Sequence, residues 1–278
     1  MNRCDICIDE KCKKDKSGEE IIKKCNCNNC EHLKECPKFL HATIRITTKC
    51  TQECSHCCFS CSPTCNKMMT IDMAKQISTF LKSNEVLSIN VMGGEFFCNP
   101  NWFDILSLFL EVVNHMRLVS NGDWVNDNDA KEKLLKLHSL YGNKFHLSIS
   151  NDRWHHNKNV NSAIKFLEEN NIIYFVGTEE NDDENVIVPI GRSEFSFGLY
   201  ALFSCYCHNP QHEYSFLIDE DGTIYKCSFG VWDYANIEDY LNGGFAKRFK
   251  EFNQKFYKVF FTSCANCIRC EKQKYKYK

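Results

Sequence analysis

Cysteine is the residue type with which this sequence is best equipped to do chemistry, because 20 of its 278 residues are cysteines. Thirteen of them lie in residues 1–65, six lie between residues 205 and 270, and Cys98 lies alone in between. The chain does not open with the charged and apolar segments of an export signal, which disfavours the class of secreted, disulfide-rich proteins. Metal ligation is therefore the better explanation of the cysteines.

Three of these cysteines form a compact CxxxCxxC pattern on one predicted loop, namely Cys50, Cys54 and Cys57. Three thiolates this close in sequence can hold three irons of a [4Fe–4S] cluster and leave the fourth iron open to a non-protein ligand. An open iron indicates an enzyme rather than a purely structural site. The alternative is a structural zinc ion, whose fourth ligand would be one of three further cysteines: Cys58, Cys61 or Cys65.

Polar residues that follow apolar runs form a second group able to do chemistry. Gly93, Gly94 and Glu95 follow one run, and glycines let backbone approach a ligand while a carboxylate accepts hydrogen bonds from an ammonium group. Further residues of this kind follow later runs: Ser120, Asn121, Gly122, Ser148, Ser150, Gly191 and Arg192. For each of them a turn, a strand-end cap or a surface ion pair is the alternative.

The elements that must position these residues alternate between strands and helices. Apolar and β-branched runs predict strands at 42–47, 86–92, 115–120, 145–150, 172–177 and 185–191. Apolar spacings of three and four predict helices at 70–83, 99–113, 128–142 and 159–171, with N-caps at Thr70, Asn99, Asn128 or Asp127, and Asn159. Six such units predict an α/β fold, an open partial (β/α)6 TIM-like barrel of parallel strands with its chemistry at the carboxyl ends.

Composition excludes several classes of protein. The longest apolar stretch, at 102–113, is broken by polar residues and is too short to span a bilayer. The net charge of −2 rules out a globally basic surface for nucleic acid, although the tail KQKYKYK is locally basic. We expect a cytoplasmic protein without a membrane or nucleic-acid partner.

The motifs, in this order along the chain, resemble those of the radical SAM enzyme superfamily. The resemblance covers about residues 42–192 and rests on CSHC with His56 before the last cysteine, on GGE at 93–95, on SNG at 120–122 and on GR at 191–192. It implies that Cys50, Cys54 and Cys57 hold a [4Fe–4S] cluster at which S-adenosylmethionine (SAM) is reductively cleaved. The product radical would then abstract hydrogen from a substrate, and the cofactor carries the difficult chemistry.

The same resemblance implies which residues contact SAM: His56, Gly93, Gly94, Glu95, Ser120, Asn121, Ser148, Ser150 and Arg192. Cleavage needs a low-potential cluster, which implies a flavodoxin- or ferredoxin-type electron donor and a reducing, anaerobic cytoplasm.

The C-terminal cysteines resemble the start of the SPASM and twitch extensions, which bind auxiliary clusters in many radical SAM enzymes. The spacing from Cys207 through Gly222 to Cys227 carries this resemblance, followed by a CxxCxxC pattern. The sequence lacks the wider spacings of a full SPASM domain, which favours a twitch-like half with one auxiliary [4Fe–4S] cluster. Its predicted ligands are Cys207, Cys227, Cys264 and Cys267, with Cys270 and Cys205 as alternates. A zinc ribbon is the alternative.

Three domains are predicted: a Cys-rich N-terminal segment at 1–40, the barrel at 41–200 and the twitch-like extension at 201–278. In the first, the pairs Cys4–Cys7 and Cys27–Cys30 suit either zinc or a further cluster. Thiols without a metal are the remaining possibility for this segment.

The predicted substrate is a peptide or protein that is crosslinked, epimerised or oxidised. Three residues are candidates for catalysis: Cys98 as a hydrogen-atom donor, and Asp152 with His155 (or His156) as a general base. Packing is the alternative role for each of them. A small metabolite is the alternative substrate, and a non-enzymatic zinc or iron–sulfur sensor is the alternative function.

Overall fold

The computed structural model describes residues 41–83, 86–177, 215–225 and 233–238. Several predictions lie outside the described residues: the N-terminal segment 1–40, the strand at 185–191, Gly191, Arg192, and the cysteines Cys205, Cys207, Cys227, Cys264, Cys267 and Cys270.

Strands and helices alternate through the first part of the fold, as predicted. The order is β1 (His41–Arg45), α1 (Ile71–Ser83), β2 (Ser88–Met92), α2 (Trp102–Leu110), β3 (His115–Ser120), α3 (Asn128–Tyr141), β4 (Phe145–Ser150), α4 (Val160–Glu169) and β5 (Tyr174–Gly177). Three short strands follow: β6 (Ser215–Ile218), β7 (Thr223–Tyr225) and β8 (Asp233–Asn236). No helix in the described part of the chain is long and apolar enough to cross a membrane.

The strands form one mostly parallel sheet in the order β5-β4-β3-β2-β1-β6-β7-β8. Strands β1 to β5 pair in parallel with their sequence neighbours, and β6 pairs in parallel with the outer side of β1. The hairpin β6–β7 is antiparallel and turns at Gly222, whose φ of 80° suits glycine. The fold is thus an α/β fold with a mostly parallel sheet, as expected for a partial barrel.

The two faces of the sheet differ in chemistry. Buried aliphatic residues such as Ile44, Val91 and Leu118 face the helices and form one continuous core with them. The alternate residues of the same strands face the other way and are mostly polar, among them Asn90 and Arg117, with Met92 and Val119 as apolar exceptions. The sheet therefore has an apolar face covered by helices and a polar face beside its carboxyl ends.

Side-chain caps confirm some of the predicted helix starts. Asp127 accepts hydrogen bonds from two amides of the first turn of α3, and Thr70 Oγ1 accepts one from the Met73 amide. The predicted cap at Asn99 is wrong, since α2 begins at Trp102 after the N-cap residue Asn101. The Asn99 side chain is fully buried and instead donates to the carbonyls of Ile46 and Met69, so it joins the end of β1 to the segment before α1.

Candidate active site

The three cysteines of the CxxxCxxC pattern lie on a loop that leaves the carboxyl end of β1. Cys50 and Cys54 are buried and Cys57 is half-buried. Their loop is pinned at its base, where Lys49 forms a bridge with Ser62 and the Cys50 amide donates to the Ser62 carbonyl. None of the seven described cysteines forms a disulfide.

Backbone amides of the loop point at the sulfur atoms. The Gln52 amide donates to Cys50 Sγ at 3.4 Å, and the Cys61 amide donates to Cys57 Sγ at 3.3 Å. Burial raises the pKa of the Cys50 thiol to about 12, and the neighbouring Glu95 and Cys54 contribute in the same direction. Buried thiolates therefore need a positive partner, and an iron cluster supplies one when it displaces their protons. The donor set fits a [4Fe–4S] cluster.

The glycines of the GGE motif allow the end of β2 to touch this loop. A Cβ atom on Gly94 would lie 2.4 Å from the Lys49 carbonyl oxygen and 2.7 Å from Cys50 Cβ. One on Gly93 would lie 2.8 Å from a methyl group of Thr47. The Gly94 and Glu95 amides donate to the backbone of the same loop. Both glycines therefore contact the cysteine loop. The sequence predicts only that they let the backbone approach a ligand.

Glu95 lies beside the cysteine loop and is 1% exposed. Its Oε2 accepts hydrogen bonds from the Asn121 amide at 2.7 Å and from Ser120 Oγ at 3.1 Å, which fixes the end of β3. Burial raises the pKa of Glu95 to about 7, against the opposing effect of these two hydrogen bonds and of the nearby Phe97 amide. Its Oε1 is buried and accepts no hydrogen bond from the described residues. One oxygen is therefore fixed by the end of β3, and the other is an acceptor that the described residues leave unused.

A polar network that sequence reasoning missed holds the cysteine loop against the ends of β3 and β4. Gln52 is 5% exposed, and its amide nitrogen donates to Asp123 Oδ2 at 3.0 Å while its Oε1 accepts from the His156 amide at 3.0 Å. Asn121 Nδ2 donates to Thr51 Oγ1 at 2.9 Å, and the Thr51 hydroxyl donates to Asp123. Polar residues on loops carry no periodic signal, so only their predicted positions after strands could have suggested this role.

The serines at the end of β4 differ in their surroundings. Ser148 is buried, and its Oγ accepts a hydrogen bond from Arg117 at 2.8 Å across the polar face of the sheet. Ser150 is half-buried at the last position of the strand. The described contacts do not join either serine directly to Glu95 or to the cysteine loop.

The loop after β4 brings Asp152 and His155 next to His56 of the cysteine loop. The His56 and His155 ring centroids are 4.6 Å apart, edge to face. His155 Nδ1 lies 2.8 Å from Asp152 Oδ1. Burial acts to raise the pKa of Asp152, but the hydrogen bond and the attraction of His155, together with the Trp154 amide, outweigh burial and lower it. Asp152 and His155, the predicted general base, therefore lie next to His56, which is predicted to contact SAM.

Cys98 is half-buried in a short 3-10 turn that begins directly after Glu95. Burial raises the pKa of its thiol to about 11, and the charge of Glu95 adds to this effect. The side chain is therefore a thiol at neutral pH, the form that a hydrogen-atom donor requires.

Comparison with known proteins gives one family. Residues 44–185, just over half of the chain, match the radical SAM superfamily. No curated protein sequence matches. The similar solved structures include BtrN in complex with AdoMet and 2-DOIA, which is 15% identical over 78% of this chain and 86% of that chain, with a TM-score of 0.54.

Two further similar structures have lower TM-scores. Native anSMEcpe with bound AdoMet is 14% identical over 72% of this chain and 78% of that chain, with a TM-score of 0.48. SuiB of Streptococcus suis bound to S-adenosylmethionine is 14% identical over 68% of this chain and 60% of that chain, with a TM-score of 0.41. At these identities the likeness concerns the fold alone.

Proposed function

The chain belongs to the radical SAM superfamily of SAM-dependent enzymes, and we propose that Cys50, Cys54 and Cys57 hold its [4Fe–4S] cluster. When bound, the cluster and SAM together supply a 5′-deoxyadenosyl radical that abstracts hydrogen from a substrate. The observation that carries this assignment is the contact of two strand ends: the three cysteines follow β1, and Gly94 and Glu95 follow β2 against them.

Glu95 is proposed to bind the amino group of SAM. Its Oε2 is held by Ser120 and Asn121, so the carboxylate cannot rotate, and Oε1 remains for an ammonium donor. A hydrogen bond between charged groups in a buried place is stronger than a neutral one. The same carboxylate thereby orders the end of β3 and orients the ligand beside the open iron.

The remaining proposed SAM contacts are His56, Gly93, Gly94, Ser120, Asn121, Ser148, Ser150 and Arg192. The family resemblance supports all of them, and the described ones also lie around the same strand ends. The His56 and His155 rings are edge to face with centroids 4.6 Å apart, and this contact orients the His56 ring beside the cysteine loop. Of these residues, Arg192 lies outside the described chain.

The substrate is proposed to be a peptide or protein that is crosslinked, epimerised or oxidised. In this proposal Asp152 and His155 act as the general base for a substrate proton at the mouth of the site. The protonated Cys98 thiol donates a hydrogen atom to the substrate radical. A small metabolite stays the second candidate. Electrons would come from a flavodoxin- or ferredoxin-type donor.

Residues 201–278 are proposed to form a twitch-like auxiliary-cluster domain with Cys207, Cys227, Cys264 and Cys267 as ligands and Cys270 as an alternate. Residues 1–40 are proposed as a separate metal-binding segment. The hairpin β6–β7 supports the first proposal, since Gly222 makes the tight turn that the Cys207-to-Cys227 spacing requires.

The test is the electron paramagnetic resonance spectrum of anaerobically reconstituted, reduced protein. We expect a [4Fe–4S] signal whose g-values change when SAM is added, because SAM binds the open iron. In a variant with Cys50, Cys54 and Cys57 all changed to Ala, this SAM-sensitive signal should vanish, whereas Cys65→Ala on the same loop should keep it. A SAM-sensitive signal that survives in the triple variant would sink the assignment of these three ligands.

A further inference from the structure

The polar face of the sheet carries charge that is not compensated within the strands. Strands β1 to β6 contain two arginines, Arg45 and Arg117, and no acidic residue. The burial patterns of their strands put both arginines on the face opposite the helices, where Arg117 is exposed and Arg45 is half-buried. This is also the face toward which Ser148 Oγ points, since it accepts a hydrogen bond from Arg117.

The two arginines differ in their partners. Arg45 pairs with two carboxylates just past β6, Asp219 at 2.6 Å and Glu220 at 3.1 Å. Arg117 lies on β3, near the middle of the sheet, and has one hydrogen bond, to the neutral hydroxyl of Ser148 at 2.8 Å. Among the described residues, no carboxylate forms an ion pair with Arg117.

Neighbouring strands add hydrogen-bonding groups around Arg117. In register with it, Asn90 lies on β2 and His146 lies on β4. His146 Nδ1 and His115 Nε2 are 2.8 Å apart, so in either tautomer one imidazole keeps an outward N–H donor. Burial, with His115 and Arg117, lowers the pKa of His146 to about 4, so the His146 imidazole beside Arg117 is neutral at pH 7.

From this geometry we infer that Arg117, which its hydrogen bond to Ser148 orients, binds together with the His115–His146 pair an oxyanion of the substrate, a carboxylate or a phosphate. A guanidinium presents a planar fork of donors that suits both groups. Arg117 lies three residues before the end of β3, about 10 Å along the strand, and its side chain leans toward the carboxyl end to reach Ser148. The anionic group would therefore lie on the polar face of the sheet, nearer to the amino ends of the strands than SAM. This inference names the substrate class of the proposed enzyme and rests on that proposal.

Chemical labelling of arginine tests the inference without knowledge of the substrate. The reconstituted holoenzyme is treated with phenylglyoxal, and the labelling rate at each arginine is measured by mass spectrometry. The reaction is run with inorganic phosphate, with succinate, and with sodium chloride at the same ionic strength as the control. Arg153 is the internal control, because it is exposed on the loop after β4 and its guanidinium lies 4.6 Å from the Trp154 ring centroid. An anion at about twice its dissociation constant should slow labelling of Arg117 about threefold and leave Arg153 unchanged.

Each outcome either supports or overturns the anion site at Arg117. Protection by phosphate alone assigns a phosphoryl group, protection by succinate alone assigns a carboxylate, and protection by both supports an oxyanion site without preference. Equal labelling of Arg117 under all conditions overturns the inference. Formation of 5′-deoxyadenosine is measured on the same wild-type sample, so a sample that cleaves SAM but shows no protection refutes the anion site and leaves the proposed function standing.

Discussion

At the scale of single residues, the two members of the GGE motif that matter most do different work. Gly94 is required by a neighbour on its own chain, because the Lys49 carbonyl and Cys50 fill the place of a side chain. Glu95 has one oxygen fixed by the protein and one without a hydrogen bond from the described residues, and this second oxygen is the one proposed to bind SAM. The sequence pattern identified both positions, but only packing distinguishes the steric role from the binding role.

Gly94→Ala should disrupt the cysteine loop. The added methyl group would meet backbone atoms 2.4 Å away, which cannot be relieved by a side-chain rotation. We expect a loss of about 1–3 kcal/mol in unfolding free energy and a lower iron content after reconstitution. Gly177→Ala is the matched control, since its nearest neighbour would be 3.7 Å away. Wild-type iron content in Gly94→Ala would show that the close approach is not needed.

Glu95→Gln should abolish a pH dependence of SAM binding. The pKa of Glu95 is raised to about 7, above its ordinary value of 4.5, so the carboxylate that attracts the SAM ammonium forms only as pH rises through this region. Wild-type affinity for SAM should therefore increase between about pH 6 and pH 8. The affinity of the variant should not change with pH, and at pH 8 it should be lower than that of the wild type by about tenfold or more. Calorimetry of the reconstituted protein measures both, and parallel pH profiles for the two proteins would contradict the role given to Glu95.

At the scale of elements, the active site is assembled from loops that follow β1 to β4, and Gln52 connects three of them. Its side chain joins the cysteine loop to Asp123 after β3 and to His156 after β4. The strands at 115–120 and 145–150 were predicted to the residue, because alternation of apolar and polar residues marks them clearly. The sequence does not predict the network between their loops, because it does not distinguish a buried glutamine from an exposed one.

Gln52→Ala should loosen the cysteine loop while the sheet stays folded. It removes four side-chain hydrogen bonds, to Asp123, to the His156 amide and carbonyl and to Cys54 Sγ, and leaving these groups with fewer partners costs about 1–3 kcal/mol. We expect faster loss of the cluster's visible absorbance in air than in the wild type. Ser55→Ala, on the same loop, should behave like the wild type, and equal decay in all three proteins would argue against the network.

At the scale of the whole molecule, the sheet extends past β1 into residues 215–236, which the sequence assigned to a C-terminal domain. The DEDG sequence is typical of a hairpin turn, but the pairing of this hairpin with β1 depends on contacts about 175 residues apart in sequence, and no local pattern encodes them. Arg45 joins the two parts through Asp219 and Glu220. Burial raises the pKa of Asp219 to about 6 despite the opposing attraction of Arg45, which shows how costly this carboxylate would be without its cation.

Arg45→Met should therefore separate the hairpin from the barrel. It leaves two buried carboxylates without their partner, and breaking a buried pair in this way costs about 3–5 kcal/mol. Hydrogen exchange should show faster exchange in β6 and β7, and the melting temperature should fall. Lys67→Met is the control, because Lys67 is exposed and lies 4.0 Å from Glu220; an Arg45→Met protein as stable as this control would refute the role of the ion pair.

The central claim is that the cysteine loop and the strand ends around it cleave SAM, and the amount of 5′-deoxyadenosine formed tests it most directly. The reconstituted protein is incubated anaerobically with SAM and a strong reductant, beside the variant with Cys50, Cys54 and Cys57 changed to Ala and the Cys65→Ala control. We predict 5′-deoxyadenosine and methionine from the wild type and from Cys65→Ala, and none from the triple variant. A wild-type protein that carries a [4Fe–4S] cluster and binds SAM but forms no 5′-deoxyadenosine, or a triple variant that forms it, would contradict the account.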